Sequence, residues 1–172
     1  RDSLRLVGSE MCIRDRRLGM TQTYFSNSTG LPAEGHLTTA RDLAILAQAI
    51  IRDYPKHYEI YSEKEFTFNT IRQPNRNKLL WSDSTVDGLK TGYTEAAGYC
   101  LVASAKKDGQ RLISVILGAT SVDARARESQ KLITYGMRFF ETHSLYDAQE
   151  SLGKARVWGG TVSYTHLRAH ET

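Results

Sequence analysis

Three consecutive residues near the middle of the chain, Lys90, Thr91 and Gly92, have the types needed to bind an anionic group. A lysine ammonium and a threonine hydroxyl can both donate hydrogen bonds to a carboxylate. Gly92 has no side chain, so an extended ligand can lie close to the backbone there. The backbone N–H of Tyr93 can then serve as one arm of an oxyanion hole. The alternative is that Lys90 is a solvated lysine that discourages pairing at a strand edge.

The segments around this tripeptide predict a strand followed by a hairpin. Residues 86–93 are predicted to be a strand, and the apolar runs GYCLVASA and RLISVILGA follow it. Because Asp108-Gly109 supplies turn chemistry between these runs, residues 98–118 are predicted to form an antiparallel hairpin. Cys100 is expected to be a small core residue of its strand.

One more strand is predicted upstream, in EKEFTFNTI. There Phe66, Phe68 and, in continuation, Thr70 alternate with polar residues.

Two amphipathic helices complete the pattern. HLTTARDLAILAQAIIRDYP has Thr39 as its N-cap and Asp42 three residues later, in place of the Glu of a capping box. Its predicted buried face contains Leu43, Leu46, Ala47 and Ile50. VDARARESQKLITYGMRFFETH is predicted as a long helix that buries Leu132, Tyr135, Gly136 and Phe139. The expected fold class is α/β (α+β), an antiparallel sheet covered by helices.

The two ends of the chain lack the patterning of the middle. Residues 1–16 and 163–172 show no caps, periodicity or turn logic, and we interpret both as non-native, adapter-derived segments. Residues 17–146 are expected to form part of one domain, and residues 147–162 to begin a second, β-rich domain.

Composition excludes several classes of function. The 172 residues carry a formal net charge of +4 without a dense basic cluster, so no nucleic-acid partner is predicted. No apolar run approaches the roughly 20 residues that span a bilayer. The two cysteines have neither metal-ligand nor disulfide-framework spacing, so we predict no metal and no cofactor.

Several blocks, taken in order, resemble one enzyme family. K-T-G is the third signature of penicillin-binding proteins and class A β-lactamases. With GLPAEGHLTTARDLAILAQAII, YSEKEFTFNTIRQPNRNKLLW and VDGLKTGYTEAAGYC, the chain from about Leu18 to Trp158 resembles the D-alanyl-D-alanine carboxypeptidases. The resemblance implies a partial DD-peptidase/β-lactamase-like fold.

The resemblance also implies roles for single residues. Arg76, in Asn-Arg-Asn, matches an arginine that helps to hold the substrate's terminal carboxylate. Lys90 and Thr91 match the substrate-binding lysine and the hydroxyl beside it. Tyr93 stands where relatives often have histidine, so its side chain has no inherited role. Arg127 matches an arginine of relatives, and a cation at a helix start suggests an anionic partner; the alternative is a surface ion pair.

The resemblance implies that the nucleophile lies upstream of the segment that matches. The family acylates a serine in S-x-x-K, assisted by a second serine in S-x-N, and both motifs precede this region. Two S-x-x-K spellings, Ser104 to Lys107 and Ser151 to Lys154, follow the K-T-G strand instead, and we interpret both as coincidences. We therefore assign no catalytic residue within the chain.

The expected function is that of a serine-type D-Ala-D-Ala carboxypeptidase, a hydrolase that removes the terminal D-alanine of peptidoglycan stem peptides through an acyl-enzyme. Its expected partners are the peptidoglycan pentapeptide and β-lactams. The expected location is extracytoplasmic (periplasmic), with membrane association only through a C-terminal anchor that the chain lacks. The alternatives are a non-catalytic peptidoglycan- or penicillin-binding module, a β-lactamase, a DD-endopeptidase, or a small interaction domain in which K-T-G is fortuitous.

The first prediction concerns acylation. Residues 17–162 should not be labelled by a fluorescent penicillin, because binding groups without a nucleophile leave no covalent step. A denaturing gel checks this, with a full-length DD-carboxypeptidase as the positive control. A labelled band that disappears on Ser104→Ala or Ser151→Ala would identify a nucleophile in the chain.

Overall fold

The computed structural model describes residues 13–143, 151–156, 158 and 164–168. After a short helical segment at 13–18, its helices are α1 (Ala40–Asp53), α2 (Pro55–Tyr58), α3 (Leu79–Ser82) and α4 (Val122–Phe139), with a 3₁₀ turn at Glu59–Ser62. Its strands are β1 (Glu65–Phe68), β2 (Ile71–Pro74), β3 (Val86–Thr94), β4 (Gly98–Lys107), β5 (Gln110–Ala119), β6 (Ser151–Arg156) and β7 (Tyr164–Arg168). The chain divides into two compact units between Phe140 and Glu141.

The main sheet has the order β3-β4-β5, and both strand pairs are antiparallel. The predicted strand at 86–93 and the predicted hairpin at 98–118 are both confirmed. Asp108 (φ 50°) and Gly109 (φ 81°) form the two-residue turn. Positive φ at both positions matches the twist of the flanking strands, and Asp-Gly tolerates it well.

The core lies between one face of this sheet and helix α4. Leu101, Ala103 and Ala105 of β4 pack there with Ile133 of α4, and Val86, Leu79 and Leu80 close the cluster. Because alternate residues of a strand point to opposite faces, Val102 and Ser104 face away from α4. The antiparallel sheet covered by helices is thus the predicted architecture.

Helix α1 begins where its cap predicts. Thr39 Oγ1 accepts a hydrogen bond from the backbone N–H of Asp42 at 3.2 Å. Asp42 itself does not complete a capping box. Its carboxylate is buried and accepts hydrogen bonds from the Gln22 backbone N–H (2.9 Å) and the Thr23 hydroxyl (2.6 Å), so it ties the preceding segment to the helix.

Helix α4 buries a different face from the one predicted. Ser121 caps it, and its buried residues are Ala124, Arg125, Ser129, Ile133 and Gly136. Of the predicted face only Gly136 is buried, whereas Leu132, Tyr135 and Phe139 are exposed. Small residues determine which face of α4 packs on the sheet. A Cβ at Gly136 would lie 2.5 Å from Leu112 Cδ1. The helix therefore packs closer to β5 than a larger residue at this position would permit.

Two local predictions also need correction. Thr70 does not continue the strand, because Asn69 and Thr70 both have positive φ and turn the chain from β1 into β2. Phe66 and Phe68 of β1 are exposed. Cys100 is only partly buried, with its thiol near the carbonyl oxygens of Ala97 and Gly98, so it is not a core residue.

The second unit contains the antiparallel pair β6-β7. Ser151 and Lys154 lie in β6. At the other end of the chain, residues 13–18 are helical and Asp15 is buried, so this part packs closely. The rest of segments 1–16 and 163–172 lies largely outside the described residues, and their non-native origin stays a prediction.

None of the described helices is long and apolar enough to cross a membrane. Among the described residues, no three His, Cys, Asp or Glu side chains cluster so that they could hold a metal ion.

The second prediction tests the close approach of α4 to β5. Alanine normally stabilises a helix interior by about 1 kcal/mol relative to glycine, but Gly136→Ala should lower the free energy of unfolding by about 1–2 kcal/mol through overpacking against Leu112. In a Leu112→Ala background the same change should become stabilising. Urea denaturation of the unmodified chain, the two single variants and the double variant checks whether the effect of Gly136→Ala on the free energy of unfolding changes sign. Stabilisation in both backgrounds would show that the contact is not tight.

Candidate functional site

The tripeptide Lys90-Thr91-Gly92 lies on β3, which is an edge strand of the main sheet as far as the structure describes it. Lys90 pairs with Val102, and Thr91 with Leu101. The Lys90 side chain is exposed, and its Nζ donates to the Thr91 carbonyl oxygen at 2.5 Å. The outer edge of such a strand can pair with an extended peptide.

Arg76 is exposed on a loop that two asparagines hold in place. Asn77 is buried: its Nδ2 donates to the Gly88 carbonyl at 2.9 Å, and its Oδ1 accepts from the Leu79 backbone N–H at 3.1 Å. Asn75 Nδ2 donates to the Glu63 carbonyl at 2.9 Å. The loop that carries Arg76 is therefore hydrogen-bonded directly to the strand that carries Lys90.

A second arginine, Arg125, reaches the end of the same strand from α4. It is 5% exposed, and its NH1 donates to the carbonyl oxygens of Gly92 (3.0 Å) and Cys100 (3.3 Å). Burial lowers the pKa of Arg125, and the positive charge of Arg76 contributes in the same direction. Arg125 therefore links β3 to β4 through these two carbonyl oxygens.

The sequence pattern favours Arg127, whereas the structure places Arg125 against the strand. The Arg127 side chain is 63% exposed, and its ionic partner is Glu128 at 3.6 Å. Two residues along an α-helix turn the side chain by about 200°, so the two arginines point in nearly opposite directions. The sequence carries a signal for this choice: Arg125, Ser129 and Ile133 follow one another at intervals of four, on a single buried stripe.

Tyr93 follows the tripeptide at the rim of the site. Its ring is exposed and packs against Tyr99 of β4, with 4.4 Å between ring centroids. Arg125 lies over the other member of this pair, 5.7 Å from the centroid of the Tyr99 ring. The two tyrosine rings therefore lie at one end of the exposed edge of β3.

Ser104 does not have the environment of a nucleophile. It lies within β4 rather than at a helix start, it is 1% exposed, and its Oγ accepts a hydrogen bond from Arg111 NH1 at 2.6 Å. Lys107 is exposed at the hairpin turn. That this S-x-x-K spelling is a coincidence stays a prediction.

Taken together, Arg76, Lys90, Thr91 and Arg125 place cations and a hydroxyl beside an open strand edge. Such an arrangement can hold an extended peptide whose terminal group is a carboxylate. It offers such a ligand positive charge and a hydrogen-bond donor.

The fold around this site is that of penicillin-binding proteins. The chain superposes on the crystal structure of penicillin binding protein 5 from Haemophilus influenzae with a TM-score of 0.85 and 44% identity, covering 94% of this chain and 47% of that one. Penicillin-Binding Protein D2 from Listeria monocytogenes, solved in its cefotaxime-bound form, gives a TM-score of 0.70 at 34% identity, covering 76% of this chain and 54% of that one.

Sequence relatives identify the family. The chain is 52% identical over 157 residues to D-alanyl-D-alanine carboxypeptidase DacC of Escherichia coli (strain K12). The aligned region covers 91% of this chain and 39% of DacC. The family described as Peptidase_S11, D-alanyl-D-alanine carboxypeptidase, matches residues 9–121. The chain belongs to this family of serine hydrolases. It spans about two fifths of the length of its curated relatives.

The third prediction separates the two arginines. Arg125→Ala should lower the free energy of unfolding by about 2–4 kcal/mol, because it leaves two backbone carbonyls without their charged donor. Arg127→Ala, the matched control on the same helix, should change it by less than about 0.5 kcal/mol, as for an exposed ion pair. Thermal unfolding of both variants checks this. Equal losses of stability in the two variants would contradict the assignment of Arg125, rather than Arg127, as the buried arginine.

Proposed function

We propose that this chain forms the carboxylate-binding part of a serine-type D-Ala-D-Ala carboxypeptidase that acts on peptidoglycan stem peptides. The observation that carries the proposal is the hydrogen bond from Asn77 to Gly88, because it holds the Arg76 loop beside the strand of Lys90 and Thr91. The family supplies the reaction class, and the exposed strand edge supplies a place for a peptide.

The chemistry assigns a task to each residue of the site. Lys90 and Arg76 provide positive charge for the terminal carboxylate, and the Thr91 hydroxyl donates a directed hydrogen bond. Gly92 lets the peptide backbone lie against β3, and the Tyr93 N–H contributes to the oxyanion hole. Arg125 adds positive charge from beneath the strand. No contact of the described residues supports a substrate role for Arg127.

In the whole enzyme a serine activated by a lysine would attack the carbonyl of the penultimate D-alanine. The C-terminal D-alanine would leave, and water would then hydrolyse the acyl-enzyme. A β-lactam presents a carboxylate and a reactive amide in a similar relation, so it would bind at the same edge. Structures of the Listeria monocytogenes relative with cefotaxime and with ampicillin bound support this partner class.

Peptidoglycan lies outside the cytoplasm, and the proposed location of the whole protein is therefore extracytoplasmic.

The fourth prediction tests the carboxylate site. An N-acetylated peptide ending in D-Ala-D-Ala should bind the chain, and Lys90→Ala and Arg76→Ala should each weaken its affinity by about 10–100-fold, as for loss of a charge-assisted hydrogen bond. Titration followed by NMR measures this. Lys131→Ala, an exposed lysine that pairs with Glu128 on α4, is the matched control and should bind normally.

The same peptide with a C-terminal amide separates charge recognition from general peptide binding. The amidated peptide should bind the unmodified chain about as weakly as the peptide with a free carboxylate binds the Lys90→Ala variant. Equal affinities for acid and amide would contradict the proposal.

A further inference from the structure

Beneath the start of β3, outside the K-T-G residues, four side chains form one polar network, which we call the Asp87 network: Tyr58, Asp87, Ser104 and Arg111. Tyr58 Oη donates to Asp87 Oδ1 at 2.8 Å. Arg111 NH1 donates to Asp87 Oδ1 at 2.9 Å and to Ser104 Oγ at 2.6 Å, and its NH2 lies 2.7 Å from Asp87 Oδ2. The network therefore joins α2 to all three strands of the main sheet.

The Asp87 network is largely shielded from water. Tyr58 and Ser104 are buried, and the side chains of Asp87 and Arg111 are 30% and 26% exposed. Burial raises the pKa of Tyr58 to about 12, so its phenol stays protonated and donates to Asp87 at neutral pH. The Arg111 guanidinium lies 5.4 Å from the centroid of the Tyr58 ring. Hydrogen bonds to charged partners in such surroundings hold their geometry firmly.

The residue after Asp87 makes the arrangement specific. A Cβ on Gly88 would lie 2.5 Å from Tyr58 Oη and 3.1 Å from its Cζ, so only glycine lets the tyrosine reach Asp87. The carbonyl of Gly88 accepts the hydrogen bond from Asn77, the neighbour of Arg76. Asp87 thus belongs to the network and Gly88 accepts the bond from the Arg76 loop, three and two residues before Lys90.

We infer that Tyr58, Asp87 and Arg111 are positioning residues, which hold β3 in line with the Arg76 loop so that Lys90, Thr91 and Arg76 present one preformed carboxylate site. The consequence for ligand affinity rests on the proposed function, whereas the alignment of strand and loop is a property of the chain alone. A merely stabilising cluster would lower the melting temperature without changing the affinity of the folded protein.

Amide hydrogen exchange of the full chain, without ligand, tests the alignment. Tyr58→Phe removes one hydroxyl, and Asp87→Asn removes the charge at constant shape. Both should speed exchange of the β3 amides that pair with β4 by about tenfold, while the amides paired between β4 and β5 keep their rates. Ser114→Ala is the matched control, because it removes a buried hydroxyl that bonds Ser129 on the opposite face of the sheet. Unchanged β3 rates, or a uniform increase over the sheet, would overturn the inference.

Affinity for the acetylated D-Ala-D-Ala peptide, measured well below every melting temperature, tests the consequence. Tyr58→Phe and Asp87→Asn should bind about tenfold more weakly, and Ser114→Ala should bind normally. Gly88→Ala should also bind weakly, and adding Tyr58→Phe to it should recover part of the affinity, since Tyr58 Oη, the atom nearest to the new Cβ, is removed while Cζ at 3.1 Å remains.

The two proposals fail differently. If the unmodified chain does not bind the peptide, the proposed function falls, and the exchange rates still decide the positioning role. If the unmodified chain binds and Lys90→Ala does not, but the network variants match the unmodified chain in both affinity and exchange, the positioning role is overturned.

Discussion

The register of β3 on β4 is the constraint on which the site depends. Lys90 lies opposite Val102 and Thr91 opposite Leu101, and Leu101 is part of the core under α4. Since side chains alternate between the two faces of a sheet, a slip of one residue would turn Lys90 and Thr91 each to the face opposite its present one and would change the residue paired with Leu101. The apolar packing of β4 therefore fixes the orientation of polar residues on its neighbour.

Local patterns predicted the elements in which one signal dominates. Asp108-Gly109 between two apolar runs is a strong hairpin signal, and Thr39 before an amphipathic run is a strong helix start. Both describe interactions among residues close in sequence, so no tertiary information is needed. The K-T-G motif marked the position of β3. Arg76 stands out only through the family resemblance, and the roles of Lys90, Thr91 and Arg76 stay predictions.

The face of α4 could not be chosen in the same way. Leu132, Tyr135 and Phe139 form a good apolar stripe, and counting apolar residues favours it. The buried stripe has Arg125, Ser129 and Gly136 instead, because small side chains let the helix approach the sheet and because Arg125 finds carbonyl partners on two strands. A buried arginine becomes favourable only once those carbonyls are in place, and their position is a tertiary fact. The interval of four that links Arg125, Ser129 and Ile133 marks Arg125 as a candidate, but the position of the carbonyls decides between Arg125 and Arg127.

The open edge of β3 also bears on how copies of the chain behave toward one another. An edge that accepts a peptide can in principle accept the β3 of a second copy, as in edge-to-edge aggregation. Antiparallel pairing of two such strands would bring the Lys90 ammonium groups of the two copies toward one another, and like charges at a strand interface are repulsive. A ligand carrying a carboxylate meets no such barrier. The charges that would attract a substrate thus also favour colloidal stability, and neutralising them would expose the edge to self-association.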